Sequence, residues 1–247
     1  MLVLDEGDDW IAIPQPAHAW LAGEVARAWG DGPIERPEPF AEVCLGTEQH
    51  DVAWAAWDLR PPLHAPARRA ASFLEAPFRP RLEIWWDAPR VMLAQSPWAA
   101  LLVSLHGTNI HTRFVDAERL PPAEGDLVRS YLAEQRRVQD ALIASLGTSR
   151  EAAEHAGDFV FCLDSISLGV CHGWGAMDLP PVAGERLRLA PAGEGAFTLD
   201  PWPLAARRLE VGVRAKRMRE RFDDEGTLHA ALDAAPWERL SWTLHAA

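Results

Sequence analysis

The chain has 247 residues, enough for one generous domain with a sizeable core, and 36 acidic residues against 24 basic ones give a formal net charge of −12. Apolar residues make up 48% and charged residues 24%, a globular balance that excludes a disordered or collagen-like chain. The acid excess argues against nucleic-acid binding, which needs a basic footprint, and against an anionic membrane surface.

Residues 2 to 13 alternate loosely and predict a strand or short hairpin before Pro14 and Pro16. A helix is expected from about Pro16 to Trp29, stopped by Gly30-Asp-Gly-Pro33. A second is expected from about Pro39 to Asp58, ending before Pro61-Pro62. Residues 60 to 81 hold many Pro and Arg without sustained periodicity and predict an ordered loop or lid. Residues near 83 to 111 are expected to carry helical stretches ending in Ala99-Ala-Leu-Leu-Val-Ser-Leu-His106, with His106 closing the apolar helix Trp98 to Leu105. Glu124 to Leu146 is the cleanest amphipathic helix, with Leu127, Tyr131, Leu142 and Ile143 on its apolar face. Another helix, near Ser149 to Cys171, ends at His172-Gly173.

Beyond Gly173, prolines and glycines punctuate short runs, and Leu209 to Val213 and Leu240 to Leu244 alternate at period two as strands do. The expected fold is therefore mainly α: a helical domain over residues 1–175 with a short N-terminal strand. A C-terminal antiparallel β portion over 176–247 packs on it.

No stretch approaches the roughly 20 apolar residues of a membrane span, and the acidic start Met1 to Asp9 is unlike a secretory leader. Cys44, Cys162 and Cys171 show no Cys-x-x-Cys spacing and read as small buried hydrophobes in a reducing cytoplasm.

The chemistry is concentrated on helical faces. His18 shares its face with Leu21, Val25 and Trp29. That is the setting of either a satisfied core histidine or a ligand. His50-Asp51 falls in a helix with Val43, Trp54 and Trp57 on its apolar side. Adjacent helical residues lie about 100° apart, so both side chains can reach one point and bind a divalent ion. Asp164 stands in the apolar run Phe159 to Cys171. A carboxylate buried there needs a cation, dense hydrogen bonding or a metal, so its partner is an arginine or an ion. His106 and His111, with Asn109 between them, form a polar helix end or further ligands. Trp20, Trp29, Trp54 and Trp57 share the two helices of His18 and His50-Asp51 and are expected to wall the site and keep it dry.

The order His18, His50-Asp51, His106 and His111, Asp164 resembles the HD-domain metalloproteins. These place a His, a His-Asp pair and a late Asp around one or two metals, and intervening His residues mark two-metal members. The resemblance implies an HD-like helical bundle. The wording Gln15-Pro-Ala-His18, Gln49-His-Asp-Val-Ala-Trp54, Leu102-Val-Ser-Leu-His106 and Asp164-Ser-Ile-Ser-Leu168 is closer still to an uncharacterised bacterial family of unknown function. That resemblance covers about residues 10 to 175. The Gly-Lys that often follows the His-Asp pair in phosphohydrolase members is replaced here by Val52-Ala-Trp54.

Three functions are open on this reading. The first is a metal-dependent hydrolase of phosphate esters: His18, His50, Asp51 and Asp164 hold one divalent ion, and His106 and His111 help hold a second. Mn, Fe, Zn, Ni and Mg are all candidates. Asp51, Asp58 and Arg68 are its candidate catalytic residues. Arg60 and Arg69 are further phosphate contacts, because a guanidinium forks onto phosphate oxygens. The second is a di-iron oxygenase, which the HD resemblance also allows. The third is a non-catalytic binding or scaffold protein. The expected partner is a small molecule, phosphorylated in the first reading, with no nucleic acid and no membrane. The cation-rich stretch Arg207 to Arg221 reads as the solvated face of a strand.

Overall fold

Alternation at the start of the chain produces a hairpin: β1 (Leu2–Glu6) pairs antiparallel with β2 (Asp9–Ile13), and Gly7 supplies the left-handed turn at φ 67°. The structure, a computed structural model, describes residues 1–32 and 34–247. Pro33, the last residue of the expected first helix stop, lies outside the described residues.

Helix α1 (Gln15–Arg27) begins with Pro16 in its first turn, where no N–H is missed. The expected second helix is interrupted. It divides into α2 (Phe40–Glu48), a 3₁₀ turn (Val52–Trp54) and α3 (Ala55–Leu59). Gln49 and Asp51 both sit near φ −109° with ψ of 7° and 15°, in the sparsely allowed bridge region. The cause is local: His50 Nδ1–H donates to Thr47 O at 2.7 Å and so satisfies a carbonyl of the last turn of α2 with a side chain.

The expected loop at 60–81 contains a small two-stranded ladder, β3 (Leu63–His64) with β4 (Arg69–Ala70). Four long helices follow: α4 (Phe78–Leu93), α5 (Pro97–Phe114), α6 (Pro122–Leu146) and α7 (Arg150–His172). Ser96 and Ser149 cap α5 and α7 by accepting the N–H of Ala99 and Ala152. Gly147 and Gly173 close α6 and α7 in the left-handed conformation. Helix α5 runs eight residues past His106, which therefore lies inside it rather than at its end.

After α7 come β5 (Met177–Asp178), β6 (Arg188–Pro191), β7 (Ala196–Asp200), β8 (Arg208–Met218), α8 (Glu225–Ala234) and β9 (Trp237–Ala246). One seven-stranded sheet in the order β1-β2-β8-β9-β7-β6-β5 joins both ends of the chain and curls into a half-barrel. This corrects the expected mainly α, HD-like bundle with a small antiparallel β portion: half the chain is helix and a fifth is strand, a mixed α/β fold. Two pairings account for the difference. Strand β2 pairs with β8, Trp10 opposite Met218, which draws the N-terminal hairpin into the C-terminal sheet. Strands β7 and β9 run parallel, so the sheet is not wholly antiparallel. Alternation marks a strand but carries no address for its partner.

The main core is continuous from the helices into the sheet: Leu21, Val25, Phe159 and Leu163 pack with Leu189, Leu199 and Val211. A second cluster under α4, α5 and α6 contains Trp54, Trp85, Met92 and Tyr131. Cys44, Cys162 and Cys171 are free and buried. Among the described residues no helix is long and apolar enough to cross a membrane.

Candidate metal centre

Helices α1, α5 and α7 and the break after α2 each aim a polar side chain at one spot in the helical layer. His18, His50, Asp51, His106 and Asp164 are all at least nine-tenths buried there. His18 Nε2 faces Asp51 Oδ2 at 2.7 Å, a contact that needs a positive centre, either a proton or a metal ion. His50 Nε2 lies 3.7 Å from Asp51 Oδ2 and 3.3 Å from Asp164 Oδ1. Asp164 also reaches His18 Nδ1 at 3.7 Å and His106 Nε2 at 3.9 Å. The buried aspartate therefore faces three imidazoles rather than an arginine. Two donor groups result, His18 with His50 and Asp51, and His50 with His106 and Asp164, each with its ligand atoms within 4.8 Å of one another.

At the break, Asp51 meets His18 on α1 and His50 meets Asp164 on α7. Outer hydrogen bonds hold the rings. A carbonyl can only accept, so Thr47 O holds one proton of His50 on Nδ1 and turns Nε2 toward the carboxylates, where it carries the second proton of the cation or gives its lone pair to a metal ion. Ser167 Oγ donates to Asp164 O at 2.8 Å and so accepts from His18 Nδ1–H at 2.9 Å. Among the described residues, His50 Nε2, His106 Nδ1 and Asp51 Oδ1 are buried with no hydrogen-bond partner. Such groups are rare in a folded core and mark a missing partner.

Charge is arranged to match. Burial alone would push the His50 imidazole down, but the Asp51 and Asp164 carboxylates outweigh it and raise it to about 9. Burial would raise Asp164, and the neighbouring imidazoles bring it down to about 2 instead. They hold Asp51 low as well. His106 moves down to about 4, because burial and the His50 charge both disfavour its cation, which leaves a neutral ring with a free lone pair.

The remaining sequence candidates fall elsewhere. His111 donates from Nδ1 to Gly107 O at 2.7 Å, packs 4.8 Å from the Tyr131 ring and joins neither donor group. Asp58 accepts from the Met1 terminal ammonium and the Gln15 N–H. Arg60 pairs with Asp233 at 3.0 Å, and Arg68, at φ 54°, pairs with Asp223 at 2.9 Å. Arg69 is buried between Asp5 at 3.1 Å and Glu75 at 2.9 Å. These arginines fasten the 60–69 segment to β1 and to the C-terminal part of the chain. Of the four tryptophans expected to wall the site, Trp54 is buried beside it and Trp57 packs edge-on to Trp54. Trp29 lies in the main core, and Trp20 is 48% exposed under Arg27. A surface tryptophan covered by a guanidinium walls nothing.

The Arg69–Glu75 pair carries a pH dependence. Burial would raise Glu75, but its bonds from Arg69 and the Ser72 N–H hold it at about 2. Because the folded value is depressed, the stabilisation is complete above the unfolded carboxyl range, near 4.5, and is lost as pH falls through about 2. Glu75→Gln is expected to be less stable than wild type at pH 7 and to lose less between pH 5 and pH 2. Acid titration followed by circular dichroism measures the difference.

Sequence reasoning missed Ser167 and Thr47 as the groups that orient His18 and His50. Ser167 stood in plain view, three residues after Asp164, where a helix returns to the same face. It also missed a cavity of about 860 Å³ that opens from the donors, lined by Gln15, Trp54, Arg81, Trp85 and Phe161 among others.

Comparison with curated proteins and with solved structures returned no match. Residues 1–220 match the model of a family described as a protein of unknown function, DUF3891. The match covers the helices that carry the candidate donors and takes in β1, β2 and β8, and it stops before β9. The chain belongs to the DUF3891 family.

Proposed function

We propose that the chain is a metal-dependent hydrolase of small phosphate esters, with His18, His50, Asp51, His106 and Asp164 holding one or two divalent ions. The observation that carries this reading is the convergence of three imidazoles and two carboxylates in a buried spot where His50 Nε2, His106 Nδ1 and Asp51 Oδ1 have no hydrogen-bond partner among the described residues. The donor chemistry fits Mn, Fe, Zn or Ni, and fits Mg less well because that ion prefers oxygen. A divalent ion held there supplies Lewis-acid polarisation of a phosphoryl oxygen and a water of lowered pKa.

The chain's own residues do the rest. Ser167 and Thr47 hold His18 and His50 in one tautomer each. His106 stays neutral beside Trp85 and Phe161, whose rings keep bulk water from its face. The cavity opening from the donors has the size of a small-molecule site. The likeness to HD-domain metalloproteins is proposed for the order of the donors alone, and it is what favours phosphate esters. The aromatic character of the cavity favours a second reading, a di-iron oxygenase on the same donors.

The test is metal loading of the full-length protein. At 100 times Kd a bound ion adds about 2.7 kcal/mol, which raises Tm by roughly 5–11 °C in a domain of this size. EDTA should reverse the shift, and the loaded protein should hydrolyse 4-nitrophenyl phosphate. An iron-dependent visible spectrum without ester hydrolysis selects the oxygenase. Absence of binding and of stabilisation by Mn, Fe, Zn and Ni overturns both.

A further inference from the structure

The cavity beside the donors is lined by a cation that makes no ion pair among the described residues. Arg81, in the first turn of α4, lines it half-buried. Among the described residues it makes no ion pair, and burial is the one influence that lowers its pKa. Several other arginines behave differently. Arg60, Arg68 and Arg69 are paired with carboxylates, and Arg113, across the cavity wall, pairs with Asp158 at 2.9 Å while lying 4.6 Å over the Phe161 ring. A guanidinium withdrawn from water without a partner is costly, and its planar fork matches the oxygens of a carboxylate or phosphate.

Its position relative to the donors is defined by two helices. Trp85 follows Arg81 by four residues on the same face of α4, about 6 Å along the axis. The Trp85 ring lies 5.4 Å from that of His106. On α5, His111 stands five residues beyond His106, about 7.5 Å along the axis. The Arg81 charge is close enough to His111 to disfavour its protonation. Arg81 and His111 thus form a polar station in the cleft, set apart from the metal donors by about one helical turn. Trp85, Ile110, Phe161 and Leu168 line the space, and Phe114 and Trp174 stand exposed at its mouth. Gln15 Oε1 and Trp54 Nε1, on residues that line the same cavity, are buried without hydrogen-bond partners among the described residues.

We propose that the cavity binds a small molecule with a large apolar body and an anionic group, carboxylate or phosphate, gripped by Arg81 beside His111, while its other end meets the His/Asp donors. The donor end rests on the metal-centre reading; the Arg81 site does not. Its ligand class is an amphipathic anion rather than a sugar phosphate or nucleotide, because the body lies against aromatic and aliphatic side chains.

Quenching of tryptophan fluorescence by 2-naphthoate, 2-naphthyl phosphate and 2-naphthol tests this on the full-length chain in EDTA, since Trp54, Trp85 and Trp174 line the cavity. At least one of the two anions is expected to bind about 10- to 100-fold more tightly than 2-naphthol, as a charge-assisted bond implies. The stronger of the two identifies the anion. Arg81→Gln should remove that advantage and leave 2-naphthol binding unchanged. Arg81→Lys, which keeps the charge and loses the fork, should lie between. Equal binding of anion and naphthol by wild type overturns the proposal, as does an undiminished anion preference in Arg81→Gln or, should that variant not fold, in Arg81→Lys. Repeating the titration with Mn²⁺ separates the two readings: no Mn²⁺ binding sinks the metal centre and leaves an Arg81-dependent preference standing.

Discussion

Asp164→Asn is expected to lower affinity for a divalent ion by more than about 100-fold. Loss of a group that merely orients a ligand costs about 10- to 100-fold, and Asp164 is placed as a donor itself. It is the residue within 3.9 Å of all three imidazoles, from His18 through His50 to His106. The amide keeps the shape and removes the charge, so the helical layer stays packed while the site loses half its anionic donors. The metal-free protein reports the same change. His50 then loses one of the two carboxylates that raise it to about 9, and its proton should leave at lower pH. Calorimetric titration with Mn²⁺ measures the first effect and histidine NMR the second. An Asp164→Asn protein that binds Mn²⁺ as tightly as wild type would show that the donors lie elsewhere.

Phe159→Ala is expected to cost about 3–5 kcal/mol, the range for removing a buried aromatic ring. Phe159 is fully buried on α7 and meets the Trp29 ring edge-on at 4.8 Å. It sits where the helical layer meets the sheet, so neither side can collapse into the void without moving the other. Urea unfolding should show a lower midpoint with an unchanged slope, and Tm should fall by roughly 6–20 °C. Helix α7 also carries Asp164, five residues on, so metal affinity should weaken as well. A loss under about 1 kcal/mol would mean that α7 is not held against the core through this ring.

The buried His and Asp cluster was legible because burial and polarity conflict in one dimension. A His on the face of Leu21 and Val25, and an Asp amid Val160, Phe161 and Leu168, announce themselves along a helix period. Helices α6 and α7 were legible for the same reason, with Gly147 and Gly173 marking their ends. What was hidden depends on partners distant in sequence or on a local substitution that leaves no pattern. His50 replaces one backbone donor at Thr47 O, and nothing in the apolar period around it changes. Arg68 and Arg69 look like loop cations until Asp223, Asp5 and Glu75 are seen beside them. Arg81 looks the same in sequence and has no such carboxylate. The pairing of β2 with β8 joins residues some two hundred apart, and α8 between β8 and β9 is too short for its period to stand out.

That pairing also governs the order in which the molecule can be made. Every candidate donor has been synthesised once Asp164 leaves the ribosome, yet β2, which runs directly into the helix of His18, still lacks its neighbouring strand. Trp10 meets Met218 only after more than fifty further residues have emerged. The hairpin of β1 and β2 can form at once, but its attachment to β8 closes a loop containing nearly the whole helical layer. Contacts of such separation are slow to form. The helices that carry His18, His50, Asp51, His106 and Asp164 are therefore all made before the strand that ties the N-terminal hairpin into the sheet.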